Sequence, residues 1–129
     1  DNAIRVACEK TGALVRDYTV APVYFSDGEN GAHEWMIEFE KSPLSLEYFV
    51  DVLDTALKSQ NSDYEAKRYK DMALRFPIVH QVPQGTFYNW LKFKGKLGGQ
   101  HKVPRLSNDR LFIDEIVEVM RQMKSVHNS

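Results

Sequence analysis

The sequence has almost no cysteine and no long apolar run, and each shortage excludes a class of protein. Cys8 is the single cysteine among 129 residues, so the chain can form no internal disulfide and no zinc site built from thiolates. No apolar run approaches the roughly 20 residues that a membrane-spanning helix requires. The low cysteine content fits a reducing compartment, so we expect a cytoplasmic protein. Since no apolar run is long enough to span a bilayer, we expect no membrane partner.

An excess of charge of either sign is also missing. The chain has 17 Lys and Arg against 18 Asp and Glu, a net charge of -1 at pH 7. A nearly neutral chain lacks the broad positive surface that nucleic-acid binding requires, so we expect no nucleic-acid partner. The 43% hydrophobic content is ordinary for a globular domain, and the length suits one domain with its own core.

The start of the chain suggests a piece of a larger protein. The first residue is Asp1 rather than Met, and a helical pattern over residues 3–10 follows at once. We therefore expect residues 1–129 to be one domain of a longer protein. A processed chain is the alternative interpretation.

Three segments have the pattern of β-strands. Residues 14–25 are rich in β-branched and aromatic side chains, and Pro22 near their end is typical of an edge strand or a bulge. A turn-like segment, residues 26–31, leads to residues 33–40, in which apolar and acidic side chains alternate. Residues 74–82 form the third candidate strand.

Alternation in the second strand separates two faces. One face is apolar and carries Trp35, Ile37 and Phe39. The other face carries Glu34, Met36, Glu38 and Glu40. We expect this acidic face to meet solvent, and we do not expect a catalytic acid–base pair on it.

Helical spacing of apolar residues predicts helices around these strands. Residues 3–10 form the first, and residues 46–57 form the second, with Ser42 or Ser45 as its N-cap. The polar residues 59–71 either continue that helix after a break or form a second short one.

Two further helices are predicted near the end of the chain. Thr86 is a possible cap of a short helix, and one of residues 107–109 caps the last helix. The apolar stripe of that last helix is formed by Phe112, Ile113, Ile116, Val117, Met120 and Met123. The predicted fold class is α+β, with a small, mainly antiparallel sheet of three to four strands covered by helices.

A glycine-rich, cationic segment, residues 95–109, separates these last two helices. Glycines let a backbone approach a ligand closely, and the lysines and arginine offer positive charge, so a phosphate or a carboxylate is the matching ligand. The segment does not fit the Walker pattern for nucleotide phosphates. The same composition is typical of a solvated surface loop, and the residues alone favour that interpretation.

Other candidate sites are weaker. The four histidines show no metal-ligand spacing, so we expect no metal site. Cys8 lies on the apolar face of a helix without a His partner, which favours a core position over a nucleophile. The aromatic side chains of Phe87, Tyr88, Trp90 and Phe93 suit core packing better than base stacking.

A resemblance to a known family rests on three stretches. The run GTFYNWLKFKGKLGGQHKVPRLSNDR, residues 85–110, resembles the C-terminal signature of the acyl acid–amido synthetases of the auxin-responsive promoter (Gretchen Hagen) family. LDTALKSQNSDYEAKR, residues 53–68, and the strand HEWMIEFE are similar to other parts of that family. The Gly-Gly-Gln-x-Lys-x-Pro-Arg core, residues 98–105, is the most specific of these.

The family belongs to the adenylate-forming superfamily, and the resemblance implies the mobile C-terminal lobe of such an enzyme. A large N-terminal lobe of the same protein would bind ATP and Mg, together with a carboxylic acid. The acid is first adenylated, and an amine, usually of an amino acid, then takes the acyl group. Since the nucleotide-binding motifs are missing from these residues, we expect the isolated chain to be inactive.

The resemblance also implies site residues. Lys102 matches the family's lysine that enters the joint site during adenylation and is the implied catalytic residue. The implied anion-binding loop around it consists of Gly98, Gly99, Gln100, His101 and Arg105. No proton-transfer role is assigned to His101. The alternative hypotheses are a non-catalytic binding or regulatory module that reuses this lobe, and a relative that forms acyl-coenzyme A.

Overall fold

The computed structural model describes residues 2–25, 30–95 and 110–127, apart from the side chains of residues 126 and 127. These ranges contain five α-helices and three β-strands. In chain order they are α1 (Asn2–Thr11), β1 (Leu14–Tyr24), β2 (Gly31–Lys41), α2 (Leu46–Gln60), α3 (Ser62–Arg68), a 3-10 turn (Tyr69–Asp71), β3 (Ile78–Val82), α4 (Thr86–Phe93) and α5 (Leu111–His127). The predicted α+β class is confirmed.

The sheet has the strand order β1-β2-β3, so β2 is its central strand. β1 and β2 pair antiparallel along most of their length, with Tyr18 opposite Ile37 and Pro22 opposite His33. β3 is shorter and pairs parallel to β2, from Glu34 opposite Ile78 onward. A parallel neighbour requires a crossover connection, and α2 and α3 lie in it. Since β1 lies at one edge of the sheet, Pro22 belongs to an edge strand, as predicted.

One face of the sheet packs against α1 and α2. Trp35, Ile37 and Phe39 of β2 all point to this side, as their alternation predicted. Phe39 meets Phe49 of α2 edge to face, with ring centroids 5.1 Å apart, a favoured aromatic geometry. The other buried members of this first core are Ala3, Ile4, Ala7, Ala13, Tyr18, Val20, Val52, Leu53 and Ala56.

The opposite face of the sheet is covered as well, which corrects one expectation. Met36 of β2 belongs to a second core together with Trp90 of α4 and Ile116 of α5. Glu38, expected to meet solvent, is 1% exposed, and only Glu40 on this face lies open. The apolar sides of α4 and α5 need an apolar surface, and this face of β2 supplies it. The domain therefore has helices on both sides of one sheet.

Several predicted element ends are settled by capping contacts. Ser45, one of the two candidates, caps α2, because its hydroxyl accepts a hydrogen bond from the Tyr48 amide at 3.1 Å. α3 is a separate short helix capped by Asn61, whose side chain accepts from the Tyr64 amide at 3.1 Å. Thr86 is not a cap; it is the first residue of α4, and its hydroxyl donates to the carbonyl of Pro83 at 2.7 Å.

Some segments differ from their predicted extent. The third strand begins only after Pro77. In α5 the buried residues include Val119, which was not predicted, whereas Val117 is 50% exposed. The predicted turn at residues 26–31 and the predicted cap of α5 at residues 107–109 fall largely or wholly outside the described residues. Among the helices that the structure describes, none is long and apolar enough to span a bilayer.

A buried ionic network joins α2 to α3. Asp54, 4% exposed, accepts hydrogen bonds from the Tyr64 hydroxyl at 2.5 Å and from Arg68 Nε at 2.8 Å. Arg68 Nη2 donates to the second oxygen of Asp54 at 2.9 Å. Burial raises the pKa of Asp54, but the hydrogen bonds from Arg68 and Tyr64 and the nearby positive charges lower it further, below its ordinary value. Asp54 is therefore ionised at neutral pH.

Replacing Asp54 by Ala leaves the Arg68 guanidinium buried without its main partner. Breaking such a pair costs about 3–5 kcal/mol, so we expect Asp54→Ala to lower the free energy of unfolding by that amount in urea denaturation at pH 7. The control is Asp63→Ala. It removes an exposed contact to Lys67 and should cost about 0.5 kcal/mol or less.

The lowered pKa of Asp54 predicts that the effect of Asp54→Ala on stability depends on pH. The folded-state pKa of Asp54 is lowered, so its stabilisation is present above the unfolded-state pKa of about 3.9 and is lost as the pH falls through the folded value. The stability gap between the native chain and Asp54→Ala should therefore narrow below about pH 4. A gap that stays constant into acid would contradict the network as described.

Candidate functional site

The residues assigned from the sequence to the site lie in one stretch that the structure leaves undescribed. Lys102 and the anion-binding loop Gly98, Gly99, Gln100, His101 and Arg105 all fall within residues 96–109. Their roles stay predictions. The structure does describe the residues on either side, Gly95 at the end of α4 and Arg110 at the start of α5, and it shows what holds both helices.

The start of α4 is held by a carboxylate from the sheet. Glu38 of β2 accepts the amide hydrogens of Gly85 at 3.1 Å and Phe87 at 3.0 Å, one on each oxygen. The N-terminal amides of a helix lack partners within the helix, and a carboxylate there also complements the helix dipole. Gly85 precedes the helix with φ +93, a backbone conformation that favours glycine.

The end of α4 is held against the first turns of α5. Glu115 of α5 accepts hydrogen bonds from Trp90 Nε1 at 3.2 Å and Lys94 Nζ at 3.3 Å. Lys94 also lies 5.2 Å from the ring centroid of Phe112, within the range of a cation–π contact. Lys94, the neighbour of Gly95, is therefore joined to α5 near its start.

Arg110 is tied directly to the sheet. Its Nη1 donates to Oε1 of Glu34 in β2, while the other oxygen, Oε2, lies 2.6 Å from Nε2 of His80 in β3. Glu34 is only 14% exposed, against 42% for Arg110. Burial raises the pKa of Glu34, but the hydrogen bonds and charges of His80 and Arg110 lower it below its ordinary value. The Glu34 carboxylate is therefore ionised at neutral pH and has a partner on each oxygen.

These three side chains open onto a cleft of about 560 Å³ between β3 and α5. The wall is polar where Arg110 and His80 lie and apolar toward α5. The apolar part of the wall includes Val79, Ile113, Val117 and Met120.

Other predictions from the sequence fall on residues that the structure describes. Among the residues that the structure describes, no group of three or more His, Cys, Asp or Glu side chains could hold a metal ion. Cys8 is half-buried against the first core, as predicted, and burial raises the pKa of its thiol while a backbone hydrogen bond from Val15 lowers it less. Of the four aromatic side chains predicted to pack in the core, Phe87 and Trp90 are buried. Tyr88 and Phe93 are 60% and 59% exposed, so the prediction is wrong for these two.

A comparison with protein families gives the family to which this chain belongs. The sequence model described as "GH3 family C-terminal domain" matches residues 1–111, a range that includes residues 96–109 and Arg110. The chain belongs to the GH3 family. It carries the C-terminal domain of that family, so the resemblance found in the sequence is confirmed. A search of the curated proteins gave no match.

Solved structures show the same fold as this GH3 C-terminal domain. "GH3.15 acyl acid amido synthetase" superposes with a TM-score of 0.67 at 18% identity over 91% of this chain and 21% of that one. "AtGH3.15 acyl acid amido synthetase in complex with 2,4-DB" gives 0.70 at 17% identity over 91% and 22%. This chain therefore spans about a fifth of the length of these neighbours.

Sequence reasoning missed the supporting residues Glu34, His80, Arg110 and Glu115, and it misplaced Glu38. One signal for the glutamates of β2 was available. Apolar residues on α4 and α5 were predicted to form buried stripes, and Met36 lies between Glu34 and Glu38 on the only sheet face left for them. No local sequence pattern predicts the contact of Arg110 with Glu34, because the two residues lie far apart in the chain.

Glu38→Gln tests whether the buried carboxylate holds α4. The amide keeps one acceptor but turns an NH₂ group toward an amide hydrogen of the helix, so a charge-assisted hydrogen bond is lost. We expect a loss of about 1.5–3 kcal/mol in the free energy of unfolding. The control is Glu40→Gln on the same strand, where the carboxylate is exposed and only 3.5 Å from Arg16; it should cost about 0.5 kcal/mol or less. Equal losses in the two variants would refute the assignment.

Proposed function

We propose that this chain is the C-terminal lobe of an ATP-dependent acyl acid–amido synthetase. Membership in the GH3 family over residues 1–111 is the observation that carries the proposal. The neighbours of the same fold are themselves titled acyl acid amido synthetases. Residues 1–129 form a single lobe that works with the N-terminal lobe of its own, longer protein in the cytoplasm.

The reaction has two steps. A carboxylate oxygen attacks the α-phosphorus of ATP, forming an acyl-adenylate and releasing pyrophosphate. The nitrogen of an amine, usually of an amino acid, then attacks the acyl carbon; the amide forms, AMP leaves and the amine loses a proton. The resemblance to the family assigns the binding of ATP and Mg mainly to the N-terminal lobe.

Lys102 is the catalytic residue of the first step. Negative charge gathers on the phosphoryl oxygens as the carboxylate attacks, and a positioned ammonium stabilises that charge more in the transition state than in the ground state. Gly98 and Gly99 allow the backbone to approach the nucleotide closely. Gln100, His101 and Arg105 complete the anion-binding loop.

Lys102→Ala in the full-length protein tests this role. We expect acid-dependent exchange between ATP and pyrophosphate to fall by roughly 10²- to 10³-fold, with the melting temperature unchanged. The control is Lys92→Ala, which removes an exposed lysine of α4 and should exchange like the native protein. Native exchange by Lys102→Ala would refute the role and favour a non-catalytic module.

The lobe alone should not catalyse the reaction. We expect residues 1–129 to produce no carboxylate-dependent AMP from ATP, since the acid and the nucleotide are held by the N-terminal lobe. The measurement is AMP release by the isolated chain across a panel of carboxylic acids, with the full-length protein as the positive control. Acid-dependent AMP from the isolated chain would refute the assignment of acid and nucleotide binding to the N-terminal lobe.

The acceptor of the acyl group tests the alternative enzyme. If coenzyme A rather than an amine consumes the adenylate, the full-length protein is an acyl-coenzyme A-forming relative.

A further inference from the structure

We infer that this domain has a binding site of its own for a small carboxylate with an apolar body, in a cleft between the sheet and α3. The cleft has a volume of about 310 Å³, near the lower end of the range for small-molecule sites, roughly 300–1,000 Å³. Its lining comes from β1, β2, α3 with its cap, and the segment just before β3. The site goes beyond the proposed function, which assigns the acid substrate to the N-terminal lobe.

Small residues create the space. Gly31, Ala32 and Ala73 all line the cleft. Gly31 has to stay small, because a Cβ there would lie 2.3 Å from the carbonyl oxygen of Val23. Its backbone is held on both sides, since it pairs with β1 and forms a β-bridge to Leu74. The cleft is therefore a feature of well-held backbone rather than of a movable side chain.

One side of the cleft is apolar. It includes Val23, Leu74 and the ring of Tyr64. Tyr64 is 7% exposed, and its hydroxyl is engaged by Asp54 at 2.5 Å, so its ring is the part that a ligand meets. The ring centroid lies 6.2 Å from that of His33. Removing the hydrocarbon part of a ligand from water against this side favours binding.

The other side of the cleft carries hydrogen-bond donors. The side-chain oxygen of Asn61 accepts the Tyr64 amide hydrogen, so its NH₂ group is the part that a ligand can use. Across the ranges that the structure describes, neither ring nitrogen of His33 has a hydrogen-bond partner. Lys67 meets Asp63 at 3.1 Å, but an ammonium has three donor hydrogens. Because Asp63 offsets the charge of Lys67, a singly charged carboxylate fits these donors better than a doubly charged phosphate.

The imidazole of His33 gives the cleft a group that responds to the charge of its ligand. Burial lowers the pKa of His33, and the positive charge of Lys67 lowers it further. The ring is therefore neutral at pH 7 and has one N–H donor. A bound carboxylate would stabilise the protonated ring and raise its pKa, whereas a neutral ligand would not. The other ionisable groups that line the cleft are Tyr24 of β1 and Asp63, Tyr64 and Lys67 of α3.

A titration of the 129-residue chain with sodium benzoate, followed by NMR, tests the inference. The chain has two cores of its own and lacks the N-terminal lobe, so the acid site of the proposed enzyme cannot contribute. We expect saturable shifts of the amide signals of Ala32, His33 and Tyr64, and a rise of roughly 1 in the pKa of His33. Shifts that do not saturate, or a His33 pKa that stays constant, would overturn the inference.

Related compounds separate the two parts of the ligand. Benzyl alcohol has the apolar body without the charge, and acetate has the carboxylate without the body. Inorganic phosphate has more charge and no body. We expect each of the three to bind at least about 10-fold more weakly than benzoate, since each loses one set of contacts. Binding of any of them as tight as that of benzoate would overturn the assignment of a carboxylate with an apolar body.

Three variants test the location. Lys67→Ala should weaken benzoate binding roughly 10-fold. The control is Lys92→Ala, which removes an exposed lysine of α4 on the other side of the sheet and should bind like the native chain. Ala73→Phe enlarges an exposed side chain of the lining, so it should block the cleft without unfolding the domain. Native affinity in either Lys67→Ala or Ala73→Phe would overturn the site.

Asp63→Ala tests the charge of the ligand. It removes the carboxylate that competes for Lys67, so benzoate should bind at least about twofold more tightly. Unchanged or weaker binding would overturn the assignment of an anion. Because all these readouts are binding to this chain alone, they do not depend on the role of Lys102. Loss of exchange in Lys102→Ala without benzoate binding to the cleft would leave the proposed function standing and this inference wrong.

Discussion

The domain depends on two carboxylates placed inside it on the central strand. Glu34 and Glu38 project from the same face of β2, one residue on either side of the buried Met36. Burying a charge is expensive unless it is paired and hydrogen-bonded. Glu38 meets this condition with backbone amides at the start of α4 and with Arg16 of β1 at 3.7 Å. Glu34 meets it with Arg110 and with His80 of β3. Glu38 binds the start of α4, and Glu34 binds the start of α5. The polar contacts therefore specify where an otherwise apolar layer lies.

Apolar and polar contacts have different roles in holding the helices on the sheet. The hydrophobic effect is non-directional, so the second core brings α4 and α5 onto the sheet without fixing their ends. Hydrogen bonds are directional. The carboxylates of β2 and of Glu115 together hold the beginning and end of α4 and the beginning of α5. The predicted anion-binding residues lie between these ends in the chain.

Much of the fold was predictable because the local spacing of apolar residues indicates the strands and helices. The two-residue alternation around Trp35 predicted β2 and its apolar face, and helical spacing predicted α1, α2 and α5. The burial of Glu38 was not predictable in this way, since a glutamate alternating with apolar residues usually marks a solvated strand face. The parallel pairing of β3 and the contact of Arg110 with Glu34 are long-range features, which local patterns do not encode. The assignment of Lys102 and of the anion-binding loop rests on the family motif alone and stays a prediction.

The two cores draw on different parts of the chain, and this has a consequence for how the domain folds. Every buried residue of the first core lies between Ala3 and Ala56, whereas most of the second core comes from residues 82–119 and packs on a sheet face that the earlier residues build. Contacts close in sequence form with less loss of chain entropy. We therefore expect α1, β1, β2 and α2 to assemble first. The layer formed by α4 and α5 should then dock last and open first, at a lower energetic cost than unfolding of the first core beneath it.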